Sequence, residues 1–147
     1  MTIKIEPTKE LSLVELKAIV KDSKNQDILF VRRFFDNWVS RSNRFDREGE
    51  ILLTAKDSDR VIGLCGLNID PYCSMPKLGR VRHLYVLSSY RRQGIGTQLI
   101  EEIIRQAKPH FTMLNLRTYN PQADKFYLAR GFQRSYKRST THIFKLT

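Results

Sequence analysis

Hydrophobic residues along this chain change period at intervals, and each change marks an element. Over residues 2–6, Ile3 and Ile5 alternate with polar neighbours, which is the two-residue period of a half-buried strand. After Pro7, residues Leu11, Val14, Leu16, Ala18, Ile19 and Val20 recur at helical spacing, and Asp22-Ser23-Lys24-Asn25 is expected to break that helix. Asp27 is placed to cap a second helix carrying Ile28, Val31, Phe34, Phe35, Trp38 and Val39. Residues 40–49 are polar and predict a loop. Residues 50–56 and 60–69 predict two strands joined by the turn Asp57-Ser58-Asp59. A Pro-containing loop over 70–79 precedes a strand over 80–87. The spacing of Leu99, Ile100, Ile103, Ile104 and Ala107 predicts a helix over 97–108, ended by Pro109. A strand over 111–117, a helix over 121–129 closed by Gly131, and strands over 132–136 and 140–146 complete the order β-α-α-β-β-β-α-β-α-β-β. That order predicts an α/β (α+β, mixed-sheet) fold, read as one domain over 1–147.

Composition narrows the class. The 147 residues are 41% hydrophobic and 28% charged, enough to bury one sizeable core. No apolar run approaches the ~20 residues of a membrane span, and the first residues carry no long apolar leader. These features predict a cytoplasmic protein without membrane association. Cys65 and Cys73 are expected as free thiols. Neither they nor His83, His110 and His142 have the spacing of metal ligands, so no metal is expected. The net charge of +11 favours polyanionic partners, among them nucleic acid, ribosomes and phosphorylated cofactors.

The most informative stretch is Arg91-Arg92-Gln93-Gly94-Ile95-Gly96, between a predicted strand and a predicted helix. Two glycines at such a turn let backbone pass close to a ligand. The following helix presents unpaired N–H groups and the positive end of its dipole, a cradle for phosphate. Arg91 and Arg92 add charge beside it. A dinucleotide fingerprint is excluded because Leu99 stands where a third small residue is needed, and no GKS or GKT is present to make a P-loop.

With the preceding strand, the run from Leu84 through Leu99 resembles the acetyl-CoA signature of the GNAT superfamily of N-acetyltransferases. Its Gln/Arg-x-x-Gly-x-Gly/Ala core is met by Arg91, Gly94 and Gly96. A second match runs from Asn120 to Phe132, fitting Asn-x-x-Ala-x-x-Phe/Leu-Tyr-x-x-x-Gly-Phe. The resemblance covers nearly the whole chain and implies a GNAT-like fold with a splayed central sheet. It implies acetyl-CoA as co-substrate and acetyl transfer to a primary amine by direct attack. It places the pantetheine arm along Leu84, Tyr85 and Val86, and the pyrophosphate on Arg91, Arg92, Gln93, Gly94, Ile95, Gly96 and Thr97, with Asn120 nearby. Tyr127 takes the place of the general acid for the leaving thiolate. A neutral amine needs its proton removed, and backbone N–H groups of the splayed strand suit a developing oxyanion.

This chain departs from the family where many members carry a carboxylate before the loop. Gly79-Arg80-Val81-Arg82-His83 stands there. His83 is the candidate base, with Glu50, a remote residue or water as alternatives. The acceptor site of the family is built from the first two helices and neighbouring loops, which brings in Phe34, Trp38 and Tyr72, together with Phe30, Arg33, Arg41 and Tyr136. A basic rim disfavours polycationic acceptors. It leaves protein amines, amino-acid-like molecules and aminoacyl-tRNA open, and either a monomer or a homodimer. Two alternative functions stand beside catalysis: a GNAT-fold nucleic-acid-binding module, and an acyl-CoA-sensing pseudoenzyme.

Overall fold

A computed structural model describes residues 2–26, 28 and 30–147. The elements follow the expected order: β1 (Ile3–Pro7), α1 (Leu13–Asn25), α2 (Phe30–Val39), β2 (Ile51–Asp57), β3 (Arg60–Ile69), β4 (Leu78–Val86), α3 (Ile95–Ala107), β5 (Met113–Leu116), α4 (Pro121–Ala129), β6 (Gln133–Arg134) and β7 (His142–Lys145). A 3-10 turn, Ser88–Tyr90, lies between β4 and the glycine loop. The strands form one seven-stranded mixed sheet in the order β1-β2-β3-β4-β5-β7-β6. Every neighbouring pair is antiparallel except β4 and β5, which run parallel.

Local chemistry explains the element ends. Ser12 and Glu15 form a reciprocal capping box at the start of α1, each side chain bonding the other's backbone N–H. The expected break at residues 22–25 does not occur, and α1 runs on to Asn25. The Ser23 hydroxyl donates to the Val20 carbonyl at 2.8 Å instead of competing for the helix backbone. Asp22 has partners outside the helix, described below. The expected cap Asp27 lies outside the described residues. α4 starts at Asn120, whose side-chain oxygen accepts from the N–H groups of Gln122 and Ala123, with Pro121 at the first helical position.

Helices cover the sheet on both faces. Leu99 of α3 lies against Gly63 of β3. On the opposite face a Cβ on Gly66 would stand 2.3 Å from the Phe45 ring, and Phe45 packs on Phe34 of α2. Leu52, Leu53, Ile62, Leu64 and Leu67 fill the centre of the sheet, with Leu16, Ile19 and Phe34 packed from one side and Leu99, Ile100 and Ile103 from the other.

One irregularity shapes the functional region. Arg82 pairs with Gly66 and Tyr85 with Leu64, so β4 spends one residue more than β3 over the same span. The extra residue is accommodated at His83, whose φ is +62°. Such a bulge bends its strand. On the other edge of β4, pairing with β5 covers only Leu78–Arg80 and ends at Arg80 opposite Asn115. Beyond that point β4 and β5 diverge, as the resemblance implied.

Candidate active site

A groove of about 480 Å³ lies in the gap between the diverging strands. Leu84, Tyr85 and Val86 of β4 form one wall. The glycine loop closes its end, and Asn120, Ala123 and Phe126 of α4 form the other wall. Gly94 is the N-cap of α3 at φ +79°, a conformation that costs a side-chain-bearing residue roughly 1–2 kcal/mol. Among the described residues, none beyond its chain neighbours comes within 4 Å of the place its Cβ would occupy, so the backbone faces the groove bare. Gly96 lies against the Phe126 ring, 3.6 Å from its would-be Cβ. The first N–H groups of α3 have no helical partner and carry the positive end of the dipole. α3 begins at Ile95, two residues before the expected start, because the buried Ile95 side chain anchors its first turn. All the expected cofactor residues line this groove except Gln93, whose exposed side chain lies outside its walls.

The loop is held from behind by α1. Asp22 accepts from the Tyr85 hydroxyl, from the Ser88 N–H at 3.0 Å and from the Ser88 hydroxyl at 2.9 Å. Burial raises the Asp22 carboxyl, but the Tyr85 and Ser88 hydrogen bonds and the Arg91 charge outweigh it and hold the group below its ordinary value. Burial, then the hydrogen bond to Asp22, pushes the Tyr85 phenol up. The Arg91 Nε donates to the Val86 carbonyl at 3.0 Å, and its guanidinium lies 5.2 Å from the Tyr85 ring centre. Arg130, on the far side, donates to the Thr97 hydroxyl at 2.8 Å and stacks on Phe126. Sequence reasoning missed both Asp22 and Arg130. In the sequence Asp22 reads only as part of a helix break, and nothing there singles out Arg130.

A smaller cavity of about 190 Å³ continues the gap. It shares Phe30, Leu84, Thr118, Ala123 and Tyr127 with the groove. Tyr127 is therefore part of the wall between the two, only 7% exposed. Burial, with a smaller push from Cys65, raises its phenol far above the ordinary tyrosine value, so the hydroxyl stays protonated. Its ring is packed by Phe126, Phe132 and His142. His142 bonds Asp124 of α4 at 2.8 Å, and Arg134 grips the same carboxylate. These contacts fasten α4, and with it Tyr127, to β6 and β7.

The small cavity is cationic. Arg33, Arg80, Arg82 and Arg117 line it, and no carboxylate does. Arg80 is buried and pairs with Asp70 at 3.2 Å, while also donating to the Ser139 carbonyl and the Thr140 hydroxyl. Asn115 donates to the same Asp70 oxygen at 2.8 Å. Arg80 and Arg82 lie at the small cavity and are absent from the groove's walls.

His83 lies in the small cavity's wall, packed by Phe30, Phe34 and Phe45. Burial, then the charges of Arg82 and Arg33, pushes its imidazole down to about 3. The ring is neutral at pH 7, and its conjugate acid is too acidic to hold an amine's proton. Glu50 is committed elsewhere: it accepts from Asn68, from the Ile69 N–H and from the Arg47 N–H. Among the expected acceptor residues, Tyr72 lines the small cavity together with Phe30 and Arg33. Phe34 and Trp38 do not. They are 1% and 2% exposed and belong to the core, because the α2 face they share is turned onto the sheet. Tyr136 is 93% exposed and lines neither the groove nor the small cavity. Among the described residues, no helix is long and apolar enough to cross a membrane.

The diverging β4 and β5, the bare glycine turn at a helix start and the second motif on α4 together define an acetyltransferase scaffold. The chain belongs to the GNAT acetyltransferase family, whose model matches residues 14–132. Over 84 residues it is 33% identical to the aminoalkylphosphonate N-acetyltransferase of Salmonella typhimurium, an overlap covering 54% of each protein. The chain thus matches about half the length of this curated relative. A solved structure from Exiguobacterium sp. 255-15, assigned as an acetyltransferase, is 30% identical with a TM-score of 0.83, covering 99% of this chain and 94% of that one. The PaiA N-acetyltransferase of Thermoplasma acidophilum, solved with coenzyme A, shares the fold at 19% identity and a TM-score of 0.65, covering 97% of each chain.

Proposed function

We propose that this chain is an N-acetyltransferase that binds acetyl-CoA in the groove and passes its acetyl group directly to a primary amine held in the small cavity. The observation that carries this reading is the position of Tyr127, a residue common to the walls of both spaces whose phenol stays protonated. A fold that only held nucleic acid or sensed a cofactor would need no such shared donor between two connected sites. The activity of the Salmonella relative, transfer to nitrogen, supports an amine acceptor.

The residues present fit the cofactor. The bare backbone at Gly94 and the start of α3 suit a pyrophosphate, with Arg92 and Arg130 beside them. The apolar walls Leu84, Val86, Ala123 and Phe126 suit a pantetheine arm. Acetyl-CoA supplies an acetyl group activated as a thioester.

The remaining work falls to side chains of this chain. An alkylammonium ordinarily has a pKa near 10.4, so it must become neutral to attack. The arginines of the small cavity favour the neutral amine, since like charges disfavour a cation beside them. Water in the open cavity then takes the proton, and no carboxylate base is required. His83 lies in the cavity wall, where its neutral ring shapes the space beside the amine. The Tyr127 hydroxyl donates to the departing sulfur. The thiolate of a thiol of pKa about 8.5 is a weaker base than this phenolate, so Tyr127 acts chiefly as a hydrogen-bond donor, with the proton passing to sulfur from the amine through solvent. Thiol release from acetyl-CoA, measured across a panel of amines, tests the reading. Amine-dependent release supports it. Release at the same slow rate with and without every amine would overturn it.

A further inference from the structure

The small cavity carries more positive charge than an amine site requires. Arg33, Arg80, Arg82 and Arg117 come from α2, β4 and the segment after β5, and they converge on one space of about 190 Å³. Among the described residues, Arg33, Arg82 and Arg117 have no carboxylate partner. Two buried side-chain nitrogens have no hydrogen-bond partner, the Arg80 Nε and the His83 Nε2, and both residues line this cavity. Arg80 is 4% exposed and His83 9%. Convergent guanidinium groups without carboxylate partners repel one another. An anion entering the cavity relieves that repulsion. Arg82 shows the strain: burial, then the nearby charges of Arg80 and Arg33, pulls its pKa down.

The geometry points to an acceptor that is a small primary amine bearing its own anionic group, a carboxylate or a phosphonate, bound with the anion on Arg82 and Arg117 and the amine toward Leu84 and Tyr127. This rests on the transferase reading above and names the substrate class for it. The planar guanidinium fork suits both anions, since each presents paired oxygens. A polyamine would place cations where three arginines already stand. A long peptide amine would leave the arginine charge uncompensated at the cavity floor.

Two measurements separate this inference from the transferase reading. The first is a kinetic panel of matched amines: β-alanine and 2-aminoethylphosphonate against propylamine, spermidine and a short peptide with a free N-terminus. The expected result is a kcat/KM at least 100-fold higher for the anionic amines. Arg82→Gln and Arg117→Gln should each raise the KM for them about ten- to a hundredfold and leave the KM for acetyl-CoA unchanged. The carboxylate and phosphonate arms show which anion is preferred. The second is calorimetric titration of the same two anionic amines into the protein saturated with coenzyme A. Binding that weakens in Arg82→Gln upholds the anion site even if no transfer is seen, in which case only the transferase reading falls. Equal turnover of neutral or polycationic amines, or no binding of either anionic amine, overturns the proposal.

Discussion

The groove and the small cavity share five residues and one strand edge, yet they are built by opposite means. The groove uses backbone: a glycine at positive φ, the open start of α3 and the unpaired edge of β4. Its side-chain walls are largely apolar, and two of its arginines, Arg91 and Arg130, are tied to the Val86 carbonyl and the Thr97 hydroxyl. The cavity uses side chains: four arginines and a histidine contributed by separated segments, two of them with unpaired buried nitrogens. A backbone site suits a ligand part that is always the same. A side-chain site suits the part that distinguishes one enzyme from another, because single substitutions redraw it without disturbing the sheet.

That contrast is sharpest at Tyr127, which belongs to both. Replacing it with Phe removes one oxygen and keeps the packing on Phe126, Phe132 and His142. We expect kcat to fall about 100-fold, the lower range for loss of one positioned hydrogen-bond donor, with acetyl-CoA affinity within twofold by calorimetry. Unchanged kcat would remove Tyr127 from the chemistry.

The glycines offer the next largest effect. At Gly66 a Cβ would meet the Phe45 ring at 2.3 Å, so Gly66→Ala should lose roughly 1–3 kcal/mol in urea unfolding. At Gly96 the nearest atoms are 3.6 Å away, so Gly96→Ala should fold at least as stably and raise the KM for acetyl-CoA several-fold. If Gly96→Ala binds acetyl-CoA normally, close backbone approach is not what the second glycine provides.

His83 separates the two sites by pH. Its folded pKa of about 3 lies below the unfolded value near 6.5. The unfolded chain therefore binds the extra proton between these values, and stability falls as pH drops through that window. The slope attributable to His83 approaches at most about 1.4 kcal/mol per pH unit. Urea unfolding at pH 7 and pH 5 should show that loss in the native chain and a smaller one in His83→Gln. Identical pH dependence would mean that the imidazole is not held neutral. Asp22→Ala is expected to act most weakly, costing about 1 kcal/mol and raising the KM for acetyl-CoA a few-fold through a loosened Ser88 turn, with the KM for the amine unaffected. An effect confined to the amine would place Asp22 with the wrong site.

The same contrast explains what the chain's sequence discloses. Arg91 to Thr97 is contiguous, and the glycine spacing carries its own structural consequence, so the groove was legible together with the element order. The cavity was not, because Arg33, Arg80, Arg82 and Arg117 meet only where β4 and β5 part. Phe34 and Trp38 show the limit of periodicity: their i, i+4 spacing identifies a shared helix face and says nothing about whether that face meets core or solvent. Asp22 was misread for a related reason. Its partners lie 63 and 66 residues away, and only the fold supplies them.

The central claim is that the glycine turn holds acetyl-CoA. Titrating acetyl-CoA calorimetrically into the native chain and into Gly94→Trp, which projects a large side chain from bare backbone into the groove, tests it most directly. The account predicts one-to-one binding by the native chain and its loss in the folded variant. No heat of binding from the native chain, or equal binding by both, would contradict it.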